Sequence, residues 1–287
     1  CVTIQAREHA DALASPFQGL LLHATELTRQ VLFGEHGRRD VGAGEEFWQF
    51  RPFENYLDPP QAIDWRRSAK GDDLFVRQYE HKVSQTLMVW VDPDARMQLG
   101  DTGVATKSYY GSVLALTASQ LAAKSGEKIG LIGDEKRAVG GEIGVQNIHA
   151  GLEAQLSNLP AARPTSKSMN LLISDFLGDW DEIEGFVARA SDAGQSGVLL
   201  QMVDPAEANF PFKGRVLFEA DRASKIHETH MAQDLRQAYL ERFARRRDAL
   251  ATLAKRAGWR YLFGSTDQPY LPMMQRLHLA LSQRRRS

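Results

Sequence analysis

From Thr86 onward the chain alternates between two kinds of run, and that alternation restricts the fold more than any other feature. Strand-like apolar stretches, "TLMVWVD", "KIGLIGD", "NLLISD", "GVLLQMVD" and "RYLFGS", are separated by stretches of helical spacing near 106–125, 147–158, 180–193 and 228–257. A further strand-like piece, "RVLFE", lies at 215–219, and a terminal helix ends in "QRRRS". Apolar residues run continuously through these strands, so both faces of each are expected to be buried. Helices between such strands supply the cover, and right-handed crossovers then give an open, doubly wound, mostly parallel sheet.

Upstream of Thr86 the pattern is different. Residues 3–33 read as two helical stretches split at Ser15-Pro16, with Leu20, Leu21, Leu27, Val31 and Leu32 at helical spacing. Gly34–Gly44 is a glycine-rich loop without the Gly-Lys-Ser/Thr ending of a phosphate-binding loop. "FWQFRPF" and "LFVRQYEHK" then read as strands around a Pro- and Asp-rich loop at 54–64. The expected organisation is a helical segment over 1–34, a loop and β element over 35–84, and an α/β domain over 85–287.

Lys plus Arg number 35 against 36 Asp plus Glu, a net charge of −1, which gives no electrostatic footprint for nucleic acid or an anionic membrane. No apolar run reaches membrane-spanning length; the best, Gly19–Phe33, is broken by His23, Glu26, Arg29 and Gln30. Cys1 is the single cysteine, so no intrachain disulfide can form, which fits a reducing compartment, and the expected location is the cytoplasm.

Four of the strand-like runs end in aspartate, at Asp92, Asp134, Asp175 and Asp204. In open α/β sheets ligands bind outside the carboxyl ends of the strands. Asp92 and Asp175 are therefore expected on one rim, with Asp94 beside Asp92. For Asp134 and Asp204 the expected role is structural, because aspartate commonly bonds its own backbone and caps the next helix. Asp92-x-Asp94-x-Arg96 begins like a calcium-binding loop, but Arg96 and Met97 stand where an oxygen ligand and a glycine are needed.

Other constellations are thin. Glu80-x-Lys82 has the residue types of a metal-dependent nuclease core, but charged residues at alternate strand positions more often make a solvated face. Gly-x-Ser-x-Gly and His-Glu-x-x-His do not occur. His227 and His230 flank Glu228 beside an expected helix start, and Arg242, Arg245, Arg246 and Arg247 form a basic helix face. In "AIDWRRSAKGDDLFVRQYE", residues 62–80, Asp64, Trp65, Ser68, Arg77 and Glu80 read as a structural block. Trp65 is expected to be mostly buried, and Asp64 to tie the loop by hydrogen bonds.

On these residues the sequence resembles the bacterial family known as domain of unknown function 58, whose fold is similar to the von Willebrand factor A domain. Ile63, Asp64, Trp65, Ser68, Ala69, Leu74, Val76, Arg77, Glu80 and Asp92 match its signature. "LISDFL" at 172–177, "FPFKGRVLFE" at 210–219, "AYLERFARRRDAL" and "YLFGSTDQP" follow in order. The resemblance implies a non-enzymatic adaptor that works with a MoxR-type AAA+ ATPase in assembling or activating a client protein. The alternative is a divalent-metal-dependent hydrolase or nuclease. It also implies a degenerate metal-ion-dependent adhesion site: Asp92 and Asp175 match the two aspartates, while Asp94 and Arg96 replace serines, and Gln146 or Asn147 replaces a threonine. The expected state is metal-free, with Arg96 or water satisfying the carboxylates; should Arg96 point away, a weakly held Mg²⁺ is the expectation.

Overall fold

The structure is a computed structural model that describes residues 19–35, 47–53, 61, 63–69, 71, 73–79, 86–98, 105–134, 137–154, 159, 168–210, 216–218, 227–229 and 232–282. It divides into two compact units, Cys1–Arg39 with Gln85–Ser287, and Asp40–Ser84. The first expected helix, before Ser15-Pro16, lies outside the described residues. The second, α1 (Leu20–Glu35), belongs to the larger unit.

In the smaller unit, β1 (Phe47–Pro52) and β2 (Phe75–Tyr79) pair antiparallel, and a single helical turn, α2 (Trp65–Ser68), stands between them in sequence. Asp64 caps that turn, its carboxylate accepting from the Arg67 N–H at 2.9 Å. Its own N–H donates to the Phe75 carbonyl at 2.8 Å, and Ile63 bridges Val76, so the block is stitched to β2 with Asp64 as a backbone donor, whereas the expected role is that of an acceptor tying the loop to that strand. Trp65 departs from expectation: it is 64% exposed. The inward position of the turn belongs instead to Ser68, which is buried, donates to the Asp64 carbonyl at 2.9 Å and accepts the Phe75 N–H at 3.0 Å. A one-turn helix offers one inward position, and a short hydroxyl that closes two backbone gaps fills it where an indole would not fit. Arg77 lies in β2 opposite Phe50; Glu80 and Lys82 lie outside the described residues.

The larger unit is built on β3 (Thr86–Val91), β4 (Lys128–Leu131), β5 (Val139–Gly140), β6 (Ser168–Ser174), β7 (Ser196–Val203) and β10 (Arg260–Ser265). Their spatial order is β10-β7-β6-β3-β4-β5, parallel throughout except for the short antiparallel β5. This is a doubly wound sheet of the von Willebrand factor A kind. "RVLFE" does not join it: β8 (Val216–Phe218) pairs with β9 (His227–Thr229) in a separate ribbon, so His227 is in a strand and not at a helix start.

Alternate strand residues face two cores. Val89, Val91, Leu171, Ile173 and Leu200 pack with α1, α3 (Lys107–Lys124), α4 (Gly141–Glu153) and α8 (Tyr270–Ser282). Trp90, Leu172 and Leu199 pack with α5 (Trp180–Asp192) and α7 (Ala232–Ala257). Helix α3 is buried from Ser108 to Ala122 on nearly every side, with Tyr109 the half-buried exception, because the sheet, α1 and α4 surround it.

Two outcomes test this packing. At Gly197 a Cβ would lie 2.5 Å from the Trp259 ring and 2.8 Å from the Asn170 carbonyl. Gly197→Ala is expected to cost about 1–3 kcal/mol in urea unfolding; no loss would mean the ring is free to move. In the smaller unit, Ser68→Ala is expected to cost about 1–3 kcal/mol through the stranded Phe75 N–H. Trp65→Ala should stay within about 0.5 kcal/mol, so a larger loss from Trp65 than from Ser68 refutes the assignment of the inward position.

Candidate functional site

Strands β3 and β6 are neighbours, yet the chain leaves them in opposite directions, β3 toward β4 and β6 toward β7. That divergence opens a crevice at the carboxyl ends, the switch point where ligands bind in such sheets. The last paired residues are Val91 and Ile173, and the Asp92 N–H continues the ladder to the Ile173 carbonyl at 2.9 Å. Parallel register therefore delivers Asp92, Ser174 and Asp175 together at the rim.

Asp92 is buried. Its Oδ2 accepts from the Ser174 hydroxyl at 2.6 Å and its Oδ1 from the Asp94 N–H at 3.0 Å. Asp94 in turn accepts the Arg96 N–H at 3.0 Å, and a 3₁₀ turn over Ala95–Gln98 follows. Two successive aspartates turning back on their own backbone aim the Arg96 side chain over the rim. Its Nε lies 3.3 Å from Asp94 Oδ1 and 3.9 Å from Asp175 Oδ2, and Nη2 lies 3.8 Å from Asp92 Oδ2. These are ion-pair contacts; the buried Nε has no hydrogen-bond acceptor among the described residues. Gly178 makes room for the guanidinium, since a Cβ there would meet Nη2 at 2.9 Å.

Below Arg96 lies a second cation. Lys107, the first residue of α3, is fully buried, and its Nζ donates to Asp175 Oδ2 at 3.0 Å and to Glu207 Oε1 at 2.5 Å. Asp175, also fully buried, accepts the Leu177 N–H on its other oxygen at 2.9 Å. Its backbone carbonyl accepts from Gln201, which is oriented by the Tyr261 hydroxyl. Glu207 belongs to α6 (Pro205–Asn209), where its Oε2 accepts the Asp204 N–H and Asp204 accepts the Ala206 N–H, so Asp204 is a helix cap as expected.

Electrostatics follow from burial. Desolvation raises the pKa of Asp92 despite the Ser174 hydrogen bond, and raises that of Glu207 despite Lys107. Tyr239 on α7 is pushed up to about 12 by burial and then by the charges of Glu207 and Asp175. Burial, then the charge of Arg242, lowers the pKa of Arg246, which stacks 5.2 Å from the Trp180 ring and donates to the Gly178 carbonyl. Phe176 and Phe210 both hold positive φ, at 53° and 45°. For such bulky residues this left-handed backbone is strained, and they immediately follow the segments carrying Asp175 and Glu207.

Asp92, Asp94, Asp175 and Arg96 thus converge on one rim. Gln146 and Asn147 lie within α4, and no interaction is described between them and the carboxylates. Asp64, Trp65, Ser68 and Arg77 belong to the other unit. The donor set does not suit a divalent ion in this arrangement. A dication about 4 Å from one unit positive charge is repelled by roughly 8 kcal/mol at an effective dielectric of about 20, and two such charges are present. The Ser174 hydroxyl is also committed, to Asp92 and to the Phe176 N–H. Sequence reasoning missed Lys107 and Glu207. The usable signal was a lysine opening "KSYYGSVLALTASQLAAK", a helix with too little polar surface to float it.

The fold and rim together define a von Willebrand factor A-like α/β domain whose rim carboxylates are paired with side-chain cations of the same chain. The chain belongs to the family described as Protein of unknown function DUF58, whose model matches residues 50–249. No curated protein and no solved structure matches it.

Lys107→Met is expected to cost about 3–5 kcal/mol, because it leaves the buried Asp175 and the partly buried Glu207 carboxylates facing each other; adding Asp175→Asn and Glu207→Gln should recover most of that. A single-mutant loss below about 1 kcal/mol would show that the amine is dispensable. The raised pKa values of Asp92 and Glu207 favour the folded state below the unfolded carboxylate values of about 4, and that contribution is lost as pH rises through the raised folded values. Asp92→Asn should therefore flatten the fall in stability above about pH 4, read from urea midpoints against pH. An unchanged slope would remove Asp92 from the titration.

Proposed function

We propose that this chain is a non-enzymatic protein-interaction module that partners a MoxR-type AAA+ ATPase in the assembly or activation of a client protein. Family membership supports the reading, and the rim carries it chemically. Asp175, Glu207 and Lys107 spend their hydrogen-bonding capacity on one another and on backbone N–H groups. A general base or nucleophile needs a lone pair within reach of a substrate, and these groups face inward. What the rim offers to solvent includes the partly exposed Arg96, paired with a partly exposed Asp94 in a fixed pose, a feature suited to recognition. The alternative, a metal-dependent hydrolase, would need the same carboxylates turned toward an ion.

The cytoplasm is the proposed location, on the strength of the single cysteine. Among the described residues no helix is long and apolar enough to cross a membrane.

Pull-down of the cognate ATPase with and without ATP is the direct test. Retention that depends on nucleotide, and that weakens at least tenfold in Arg96→Ala, is expected. Folded protein that retains no ATPase in either condition sinks the reading, and hydrolysis of a phosphodiester or peptide substrate that tracks Asp175→Asn would favour the alternative.

A further inference from the structure

Arginines gather where helix α7 meets the loop that follows β6. Arg246 reaches from α7 across to that loop: it donates to the Gly178 carbonyl, and its Cζ lies 5.2 Å from the centre of the Trp180 ring. The indole is fixed in turn, its Nε1 donating to Glu184 Oε2 at 2.9 Å. Arg242 is exposed and stands one turn earlier on α7, and positions four apart on a helix share a face. Arg96 comes up against the same glycine, since a Cβ on Gly178 would meet its Nη2 at 2.9 Å. Two guanidinium groups therefore meet at Gly178, with a third a helical turn away.

Charge is unevenly matched among these three. Arg96 lies against Asp92, Asp94 and Asp175, and Asp175 is shared with Lys107. Neither Arg242 nor Arg246 forms an ion pair with a carboxylate among the described residues. The neighbouring acid, Asp179, is exposed and uses one oxygen to cap α5, accepting the Asp181 N–H at 2.9 Å. Like charges four apart disfavour a helix, and after desolvation it is the charge of Arg242 that most lowers the pKa of Arg246. A structural role explains the bond from Arg246 to Gly178. It leaves the other donors of Arg246 without an acceptor among the described residues, and it gives no account of Arg242, which has neither a hydrogen bond nor an ion pair there.

We propose that Arg242 and Arg246, with Arg96 beside them, form a docking surface for an acidic segment of a partner protein, whose glutamate or aspartate carboxylate is held between Arg242 and Arg246. A guanidinium presents two parallel donors that match a carboxylate, and stacking on an indole leaves its edge available. Arg246 is already held by Gly178 and Trp180, so less freedom is lost on binding. The whole chain carries a net charge of −1, so this positive face is a local feature and not the field of a basic protein. Asp179 and the partly exposed Asp94 border the arginines, and they repel a phosphodiester chain or a dianionic phosphate more than a single carboxylate. The inference rests on the reading of the rim as a recognition surface, but its test uses no ATPase, so its failure and a failed pull-down are separate results.

Fluorescence anisotropy of a labelled oligoglutamate peptide tests it on the full chain. The native protein should bind the peptide with a Kd below ~1 mM, and the affinity should fall as salt screens the charges. Arg242→Glu and Arg246→Gln should each lose roughly tenfold in affinity. Arg246→Lys keeps the charge but not the fork and should lose about threefold. Arg256→Gln, at the far end of α7, should bind like the native protein. No binding by the native protein, or a folded Arg242→Glu that binds as tightly as the native protein, overturns the proposal. If Arg246→Gln does not fold, Arg242→Glu decides alone, because its side chain is exposed. Tighter binding of oligothymidylate or inorganic phosphate than of the peptide also overturns it and assigns the arginines to phosphate. A measurement on the native chain fixes the place: the ¹⁵N-labelled Trp180 indole N–H signal should shift as the peptide is added. Peptide binding that leaves the Trp180 signal unmoved would put the acidic segment elsewhere.

Discussion

A buried ammonium between one buried and one partly buried carboxylate is the constraint on which the rim of this protein depends. Desolvating three charges costs several kcal/mol per ion, and good geometry is needed for their attraction to offset it. Here the geometry comes from three separate elements. The start of α3 brings Lys107, the end of β6 brings Asp175, and α6 brings Glu207. Such a contact is weak evidence for net stability, but breaking it is expensive. It therefore acts as a specification: α3, β6 and α6 must dock in one register or leave an uncompensated charge in the core.

The same contact explains the local backbone. Asp175 must turn inward at the end of β6 while its neighbours continue the chain, and Phe176 absorbs the turn with φ at 53°. The Phe176 N–H is caught by Ser174 Oγ, and that hydroxyl donates to Asp92. A single serine thus couples the two strand ends across the switch point. Phe210 plays the corresponding part after α6, ending the helix in the left-handed region while its ring packs 4.8 Å from Tyr239. Strain at two aromatic residues is tolerable because both side chains are buried and held in place.

Much of the fold was legible because burial on both faces leaves a strong trace. "TLMVWV" and "NLLIS" cannot be surface strands, and their terminal aspartates marked the rim. Asp204 as a cap was legible from the same chemistry. What failed was reading isolated residues whose meaning depends on distant partners. Lys107 and Glu207 are 100 positions apart in sequence, and neither belongs to a spaced motif. Trp65 misled for a different reason: an indole among charges suggests a pinned ring, whereas a four-residue helical turn has one inward position and Ser68 holds it. "RVLFE" has strand chemistry without a strand's place in the main sheet, because a three-residue ribbon satisfies its backbone locally.

An exchangeable ion and a tethered amine confer different behaviour on the same carboxylates. A bound dication comes and goes with its concentration, so the surface around it has two electrostatic states. An ammonium on a helix capped by Thr106 has only one while the protein is folded. Arg96 extends the fixed positive charge to the solvent side, its backbone N–H held by Asp94 and its planar end accommodated by the missing Cβ of Gly178. Its Nε is buried, but the side chain as a whole is partly exposed, so the guanidinium presents its charge to solvent in a fixed pose. A partner that supplies an acceptor there meets a surface already organised, and the ordering cost of association falls on the partner alone.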